Sequence, residues 1–484
     1  MALRHGRRRP CNQEASMPHQ DSLTLDDQVR PTTAESWSIL SSPYRMTTIG
    51  IVSLVALIAF EALAVATAMP AVARALDGVP LYAVAFGVTL ATSVVGMTVA
   101  GGWCDARGPA APLWSGMACF VAGLLLAGFA PSMPVFLAGR LVQGLGAGGM
   151  SVALYVLVGR RYPEALRRRI FAAFATAWVV PALVGPALSG LVVEHLGWRW
   201  VFLGVPLLAL PAGAMLRPAL QGLGGHGHGH AGRCGGRGLW ALGAATGICL
   251  LYVGGQRQSA GALGAVAVAA ALSMVCTWKL LPAGTLRAGR GLPSVIALRG
   301  LVFAAFFGAE AFLPLVLARE HGLSAPMAGL VLSAGALGWC SASWYQGHSR
   351  NGWSRHRFLR VGTSAVLAGV LLTASVAWPA VPVWVAVVGW IVSGLGMGLL
   401  SASLSVLTLS MSAPGEQGAN SSALQLCEAI AVAATLAIGG SLFAAFLETS
   451  AQAAYLANFG VAAGAAVLAA VIVGRTDTRQ VFVG

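Results

Sequence analysis

Apolar residues run along most of this chain in long segments that short polar stretches separate. A helix needs about 20 apolar residues to cross a bilayer, and most of the segments are near that length. They cover residues 47–69, 81–101, 112–130, 134–158, 170–195, 198–216, 239–255, 260–281, 293–318, 325–345, 358–378, 381–409, 417–447 and 451–473. The pattern predicts an all-α polytopic membrane protein with fourteen transmembrane helices.

The fourth segment combines a charge with a glycine stripe. Gly144, Gly146 and Gly148 leave one side of the helix without side chains, so a neighbouring helix can approach its backbone closely. Leucine at Gly144 or at Gly185 in the next segment is therefore expected to be disruptive, and alanine to be mild. Arg140 lies within the first two turns of the same segment, and an arginine near the middle of a membrane span costs roughly 2.5–3.5 kcal/mol.

Arg140 therefore needs a polar environment, and Glu61 is the candidate partner. Glu61 lies near the middle of the first segment, with about a dozen mostly apolar residues before it. We expect both side chains to face a polar cavity. The alternatives are an arginine that extends to the outer interface and a carboxylate at a helix end.

Two further acids lie inside apolar segments of the second half. Glu310 is a candidate proton site, or else an acid that pairs with Arg319. Glu428 is the third candidate, and its alternative is a local interaction with Gln425 or Ser421.

An internal repeat relates the two ends of the chain. The sequence GLGAG at 144–148 recurs as GLGMG at 394–398, an offset of 250, and Glu61 matches Glu310 at an offset of 249. Trp390 stands where the first half has Arg140. The offset leaves room for one inserted helix pair between two six-helix bundles, with the binding site between the related halves.

This organisation predicts six regions. They are a disordered cytoplasmic tail (1–45), an N-terminal six-helix bundle (46–217), a Gly- and His-rich cytoplasmic linker (218–238), an inserted helix pair (239–292), a C-terminal six-helix bundle (293–474) and a cytoplasmic tail (475–484). Three linker histidines (226, 228 and 230) could bind a soft metal, and a metal exporter is one alternative. Nothing fixes their geometry, so a flexible linker is favoured and no metal site is expected.

Composition supports the membrane assignment and charge gives the orientation. The chain is 57% hydrophobic and 10% charged, against about 25% charged residues in a soluble protein. Its thirty basic residues outnumber sixteen acids by fourteen. Twenty-five of them, Arg299 included, fall on the predicted side of both termini, which makes that side cytoplasmic in a bacterial cell membrane. The same asymmetry explains the net charge without nucleic acid.

The sequence lacks the usual marks of an enzyme. It has no nucleophile–base set and no phosphate-binding GxxxxGK[ST], and no soluble domain could hold a nucleotide or another cofactor. None of the eight cysteines falls in a predicted outer loop, so no disulfides are expected. A membrane enzyme would need a polar cluster at the interface. Transport driven by an ion gradient fits better.

Three motifs resemble the major facilitator superfamily, in particular its fourteen-helix drug:proton antiporters. The sequence GGWCDARG (Gly101, Asp105, Arg107 and Gly108 among its residues) resembles the loop between the second and third helices of that family. The residues Arg140, Gln143, Gly144 and Gly146 match its helix-four motif, which the family associates with proton coupling. The residues Gly185, Pro186 and Gly190 match its helix-five motif, which is typical of exporters.

The resemblance implies the major facilitator fold and alternating access in a monomer. Together with the buried acids, it implies export of small cationic or amphipathic drugs in exchange for protons, without a cofactor. An exporter of a specific metabolite or sugar is the main alternative, and an uptake transporter of the same fold is another.

Overall fold

The computed structural model describes residues 38–78, 81–223, 234–254, 260–323, 325–348, 353–413, 415–447 and 449–476. Within them the chain forms α-helices and short 3₁₀ turns, and no strand. Most of the predicted N-terminal tail, the three linker histidines and the last eight residues lie outside the described residues.

The first bundle contains six long helices and one short one. They are α1 (Ser42–Ala75), α2 (Tyr82–Arg107), α3 (Ala110–Gly128), α4 (Met133–Arg161), α5 (Glu164–His195), α6 (Arg199–Ala214) and α7 (Arg217–Leu220). Proline near the N-terminus of α1 and of α4 suits a helix start, because its missing N–H would have no partner there. Gly108 ends α2 with a φ of 83°, a conformation that favours glycine.

The remaining helices form an inserted pair and a second bundle. They are α8 (Cys234–Gly254), α9 (Ala260–Leu280), α10 (Leu292–Glu310), α11 (Leu313–Glu320), α12 (Ala325–His348), α13 (Arg355–Ala374), α14 (Val383–Met411), α15 (Gln417–Leu447) and α16 (Ala451–Ile472). The inserted helices pack against each other and against α2 and α15. Trp278 of α9 is exposed.

The two bundles repeat one packing scheme, and glycines explain it. Helix α4 packs between α2 and α3, as α14 packs between α12 and α13. A Cβ atom on Gly144 would lie 2.3 Å from the Thr89 carbonyl oxygen, and one on Gly394 would lie 2.0 Å from that of Gly335. Only a residue without a side chain permits such approaches. The expectation that alanine is mild at Gly144 is therefore wrong, because backbone already fills that space.

The predicted number of fourteen spans is not confirmed. Among the described residues, eleven helices are long and apolar enough to cross a membrane, or twelve if the strongly bent pair 188–195 and 199–214 is one span. Helix α6 has only 16 residues, fewer than the roughly 20 that a span needs. The all-helical polytopic fold is confirmed, and the exact count stays a prediction.

One local prediction needs correction. Residues 101–107, predicted as a turn, continue α2 for nearly two further turns, because backbone hydrogen bonds hold them as a helix until Gly108. The predicted span 293–318 falls within one candidate span, Leu292–Glu320, in which a break at residues 311–312 separates α10 from α11.

Candidate functional site

Glu61 and Arg140 form a buried ion pair inside the first bundle. Glu61 lies on α1 and Arg140 on α4, and one guanidinium nitrogen donates both to the Glu61 carboxylate and to Gln143 Oε1, the latter at 2.8 Å. Arg140 is 3% exposed and Glu61 is 4% exposed. Arg140 therefore does not extend to an interface. In this conformation the pair lies among packed helices rather than in open solvent.

Neighbouring helices fix the geometry of this pair. The Arg140 Nε atom donates to the backbone oxygen of Ala85 on α2 at 3.4 Å. Gln143 is fully buried, and Gly123 of α3 packs against it so closely that a Cβ atom on Gly123 would lie 2.3 Å from the Gln143 backbone nitrogen. The Gln143 side-chain nitrogen has no hydrogen-bond partner among the described residues. An unused hydrogen-bond donor, the Gln143 side-chain N–H group, thus lies beside the ion pair.

The helix-five motif packs along the turn of α1 that carries Glu61. Gly185 faces Phe60, with 3.6 Å from a Cβ position to the ring. Ser189 donates to the Ala64 carbonyl oxygen at 2.9 Å. A Cβ position on Gly190, the next residue, lies 4.0 Å from the Thr67 side chain of α1, which is a loose contact. Pro186 lies within α5 between these contacts. Movement of α5 would therefore act directly on the backbone around Glu61.

Glu310 has a different environment from its counterpart Glu61. It is half-buried at the end of α10 and makes no ion pair among the described residues, so the pairing with Arg319 is not formed. Trp390 stacks on Phe306 at 4.5 Å between ring centroids. The repeat has kept the acid and replaced the base by an aromatic ring.

Glu428 pairs with an arginine that the sequence interpretation assigned to the cytoplasmic surface. Arg299 lies on α10, is 6% exposed, and donates from Nε to Glu428 Oε2 at 2.7 Å. That assignment was wrong, because the apolar segment already begins at 293 and places Arg299 two turns inside it. Counting helical turns from the start of the segment would have predicted a buried position for Arg299, and a buried arginine needs an acidic partner.

The two bundles meet at the end where α2 finishes and α15 begins. The Asp105 carboxylate accepts backbone N–H groups of Gly418 at 2.7 Å and Ala419 at 2.8 Å. A Cβ atom on Gly418 would lie 2.2 Å from the Gly101 carbonyl oxygen, so the helices nearly touch. Asp105 caps the positive end of α15, which a carboxylate stabilises. Arg107 points to solvent and takes no part in this contact.

A second contact between the bundles lies at the same end, which we call the closed end. Glu164 of α5 pairs with Arg355 of α13, and Arg169 donates to the Gly347 carbonyl oxygen at 3.4 Å. The Glu164 side chain is 58% exposed and that of Arg355 is 33% exposed. Water screens this ion pair, so the buried Asp105 contact contributes more to closure.

Tyr162 ties the connection between α4 and α5 to α1 at the closed end. Its hydroxyl lies 2.7 Å from the Thr48 hydroxyl, which in turn donates to the Ile39 carbonyl oxygen. Burial raises the pKa of Tyr162 to about 12, so this hydroxyl stays neutral at physiological pH and keeps its proton for Thr48.

We expect Asp105→Ala to open the closed end. Loss of a helix cap costs about 0.5–2 kcal/mol, which corresponds to about a 2- to 30-fold shift in the conformational equilibrium. Spin labels at the exposed positions Ala111 and Arg360, one in each bundle, should report longer distances in this variant. The matched control, Glu164→Gln, should lengthen these distances much less. Equal shifts would contradict the stronger role of Asp105.

Comparisons with known proteins show that this chain is similar to membrane transporters. The sequence profile of the Major Facilitator Superfamily matches residues 49–436. A probable multidrug-efflux transporter of Mycobacterium tuberculosis is 28% identical over 470 residues, which are 92% of this chain and 98% of the relative. A multidrug transporter of Bacillus subtilis is 28% identical over 144 residues, 30% of this chain and 27% of the relative. The crystal structure of a human organic anion transporter aligns with a TM-score of 0.64 at 16% identity, covering 88% of this chain and 98% of that one.

Proposed function

Because the chain belongs to the Major Facilitator Superfamily, we propose that it exports small cationic or amphipathic compounds in exchange for protons. It is a multi-pass membrane protein of a transporter family, and such transporters bind small molecules within the membrane. In this proposal a monomer works by alternating access between its two bundles.

Likeness to efflux transporters supports the direction of transport. The mycobacterial relative aligns along nearly its whole length and is described as a probable multidrug-efflux transporter. The helix-five motif, typical of exporters by resemblance, packs on α1 beside Glu61.

The buried pair of Glu61 and Arg140 is the observation that carries the proton-coupling proposal. A buried carboxyl prefers its neutral form, whereas a nearby guanidinium stabilises the carboxylate. Proton uptake by Glu61 would weaken its contact with Arg140, and Gln143 offers an alternative acceptor at 2.8 Å. Protonation and helix position thus become linked, which ion-coupled transport requires.

Basic residues support a cytoplasmic position for the closed end. Arg107 is the last residue of α2 there, and five arginines fall within 160–169, where α4 ends and α5 begins. Arginine-rich loops face the cytoplasm in most membrane proteins. Both termini would then be cytoplasmic. In this orientation the conformation is closed to the cytoplasm, the state in which an exporter releases its cargo outside.

A transport panel tests the proposed function. Everted membrane vesicles with the protein should accumulate fluorescent organic cations when a proton gradient is present, and an ionophore should abolish the accumulation. Vesicles with Arg140→Ala serve as the control for background flux. Uptake that ignores the ionophore, or that occurs only for sugars or other neutral metabolites, would contradict the proposal.

A further inference from the structure

The groups that surround the Arg299 guanidinium are the kinds that bind cations. Its Nε atom bonds the Glu428 carboxylate at 2.7 Å, and its Nη1 atom bonds the Ser401 carbonyl oxygen at 3.2 Å. The guanidinium carbon lies 3.9 Å from the centre of the Phe303 ring. A carboxylate, a carbonyl oxygen and an aromatic face are the groups that proteins use to recognise organic cations.

This site lies at the contact between the two bundles. The Tyr155 hydroxyl, on α4 of the first bundle, lies beside the Arg299 guanidinium. One turn from Glu428, Gln425 accepts a hydrogen bond from Ser151, also on α4. The Glu428 side chain is 26% exposed, whereas that of Arg299 is 7% exposed. The Glu428 side chain therefore keeps some free surface, while its resident cation is shielded.

Aromatic rings extend the site beyond the ion pair. The rings of Phe303 and Trp339 meet edge to face at 5.6 Å, and Phe307 lies 5.9 Å from Phe303. The Trp339 indole nitrogen donates to the Ser401 hydroxyl at 3.2 Å, which orients this wall. Phe307 and Trp339 are only partly buried, so they can offer apolar surface to a ligand.

We propose that Glu428 receives the cationic centre of an aromatic organic cation, and that Arg299 is the resident cation which this substrate displaces. The inference rests on the proposed export function and adds the determinant of charge selectivity. Displacement breaks the bond between Arg299 and Glu428 and transfers no proton. Arg299 keeps the Ser401 carbonyl oxygen and the Tyr155 hydroxyl as partners.

Few ionisable groups surround this pair. Helix α10 provides Arg299, α15 provides Glu428 and Cys427, α4 provides Tyr155, and α14 provides only the neutral Ser401. Removing the positive charge leaves a site for cations. Removing the negative charge leaves a site for anions. The two neutralising substitutions should therefore change selectivity in opposite directions, which a merely structural ion pair would not do.

The test measures binding of two ions of nearly equal shape and opposite charge, tetraphenylphosphonium and tetraphenylborate. Purified protein in lipid nanodiscs is used without any gradient. Arg299→Gln should bind tetraphenylphosphonium about tenfold more tightly than the wild type, equivalent to about 1.4 kcal/mol. Glu428→Gln should lose this ligand and gain tetraphenylborate. Arg299→Lys should keep the wild-type preference.

Controls separate this inference from folding and from the proposed function. Arg355→Gln neutralises the exposed ion pair at the closed end and should leave both affinities unchanged. Thermal unfolding of each variant shows whether it is folded. The inference would be overturned if the affinities for both ions changed in the same direction. It would also be overturned if the affinities of folded Arg299→Gln did not change. Because no proton gradient is used, a failure of proton coupling would not affect the result.

Discussion

Glu61→Gln is expected to stop export against a concentration gradient while leaving substrate binding intact. Glutamine imitates the protonated acid in shape and charge, so the site no longer changes with pH. In proteoliposomes with an imposed proton gradient, uphill transport should fall by about 5- to 150-fold, the effect of losing one coupling free energy of 1–3 kcal/mol. Substrate binding should stay within about threefold of the wild-type value, because glutamine keeps a hydrogen-bonding group for Arg140.

Substitutions of Arg140 distinguish the effect of its charge from the effect of its hydrogen-bonding geometry. Arg140→Ala leaves the Glu61 carboxylate buried without its partner, and breaking a buried pair costs about 3–5 kcal/mol. We expect a lower unfolding temperature together with loss of coupling. Arg140→Lys should restore only part of both, because the ammonium cannot reproduce a guanidinium that reaches Glu61 and Gln143 through Nη1 and the Ala85 carbonyl oxygen through Nε. Full restoration by lysine would show that charge alone matters.

Gly144→Ala is expected to destabilise the first bundle although it adds a single methyl group. That methyl carbon would lie 2.3 Å from the Thr89 carbonyl oxygen and 2.1 Å from the Thr92 hydroxyl oxygen. Backbone must move to admit it, and overpacking of this kind costs about 1–3 kcal/mol. Thermal unfolding in detergent should show a lower midpoint, and transport per folded molecule should fall because α2 and α4 separate.

Gly185→Ala is the matched control, since it adds the same methyl group to the neighbouring helix. There the nearest atom belongs to the Phe60 ring at 3.6 Å, an ordinary contact distance. Stability should change little, and leucine should be needed to cause damage. Equal destabilisation by alanine at both positions would contradict the packing argument.

Sequence patterns predicted the fold and the first-bundle pair because both depend on strong local constraints. An arginine within an apolar helix must find an acid, and Glu61 lies near the middle of its apolar segment, whereas Glu194, the other acid in these segments of the first half, lies at a segment end. The glycine run at 144–148 recurs at 394–398 because both helices lie between two neighbours at backbone distance. The tolerance of Gly144 to alanine was misjudged, because sequence gives no distance to the opposing backbone.

The second-bundle site could not be predicted so well. Arg299 lies close to the basic loop that precedes α10, so its charge was counted with that loop. Its pairing with Glu428 spans 129 positions, and no local pattern joins them. Glu310 matches Glu61 in the repeat but forms no ion pair among the described residues, because Trp390 replaces the arginine. An internal repeat thus predicts where a residue lies in the fold better than it predicts the interactions of that residue.

Substrate-induced proton movement tests the central claim most directly. Purified wild-type protein in weakly buffered detergent solution should release protons when tetraphenylphosphonium is added, and Glu61→Gln should bind the ligand but release none. Glu310→Gln, the matched acid without an ion pair, should release protons as the wild type does. If Glu61→Gln releases as many protons as the wild type, Glu61 is a structural acid and the account of proton coupling is wrong.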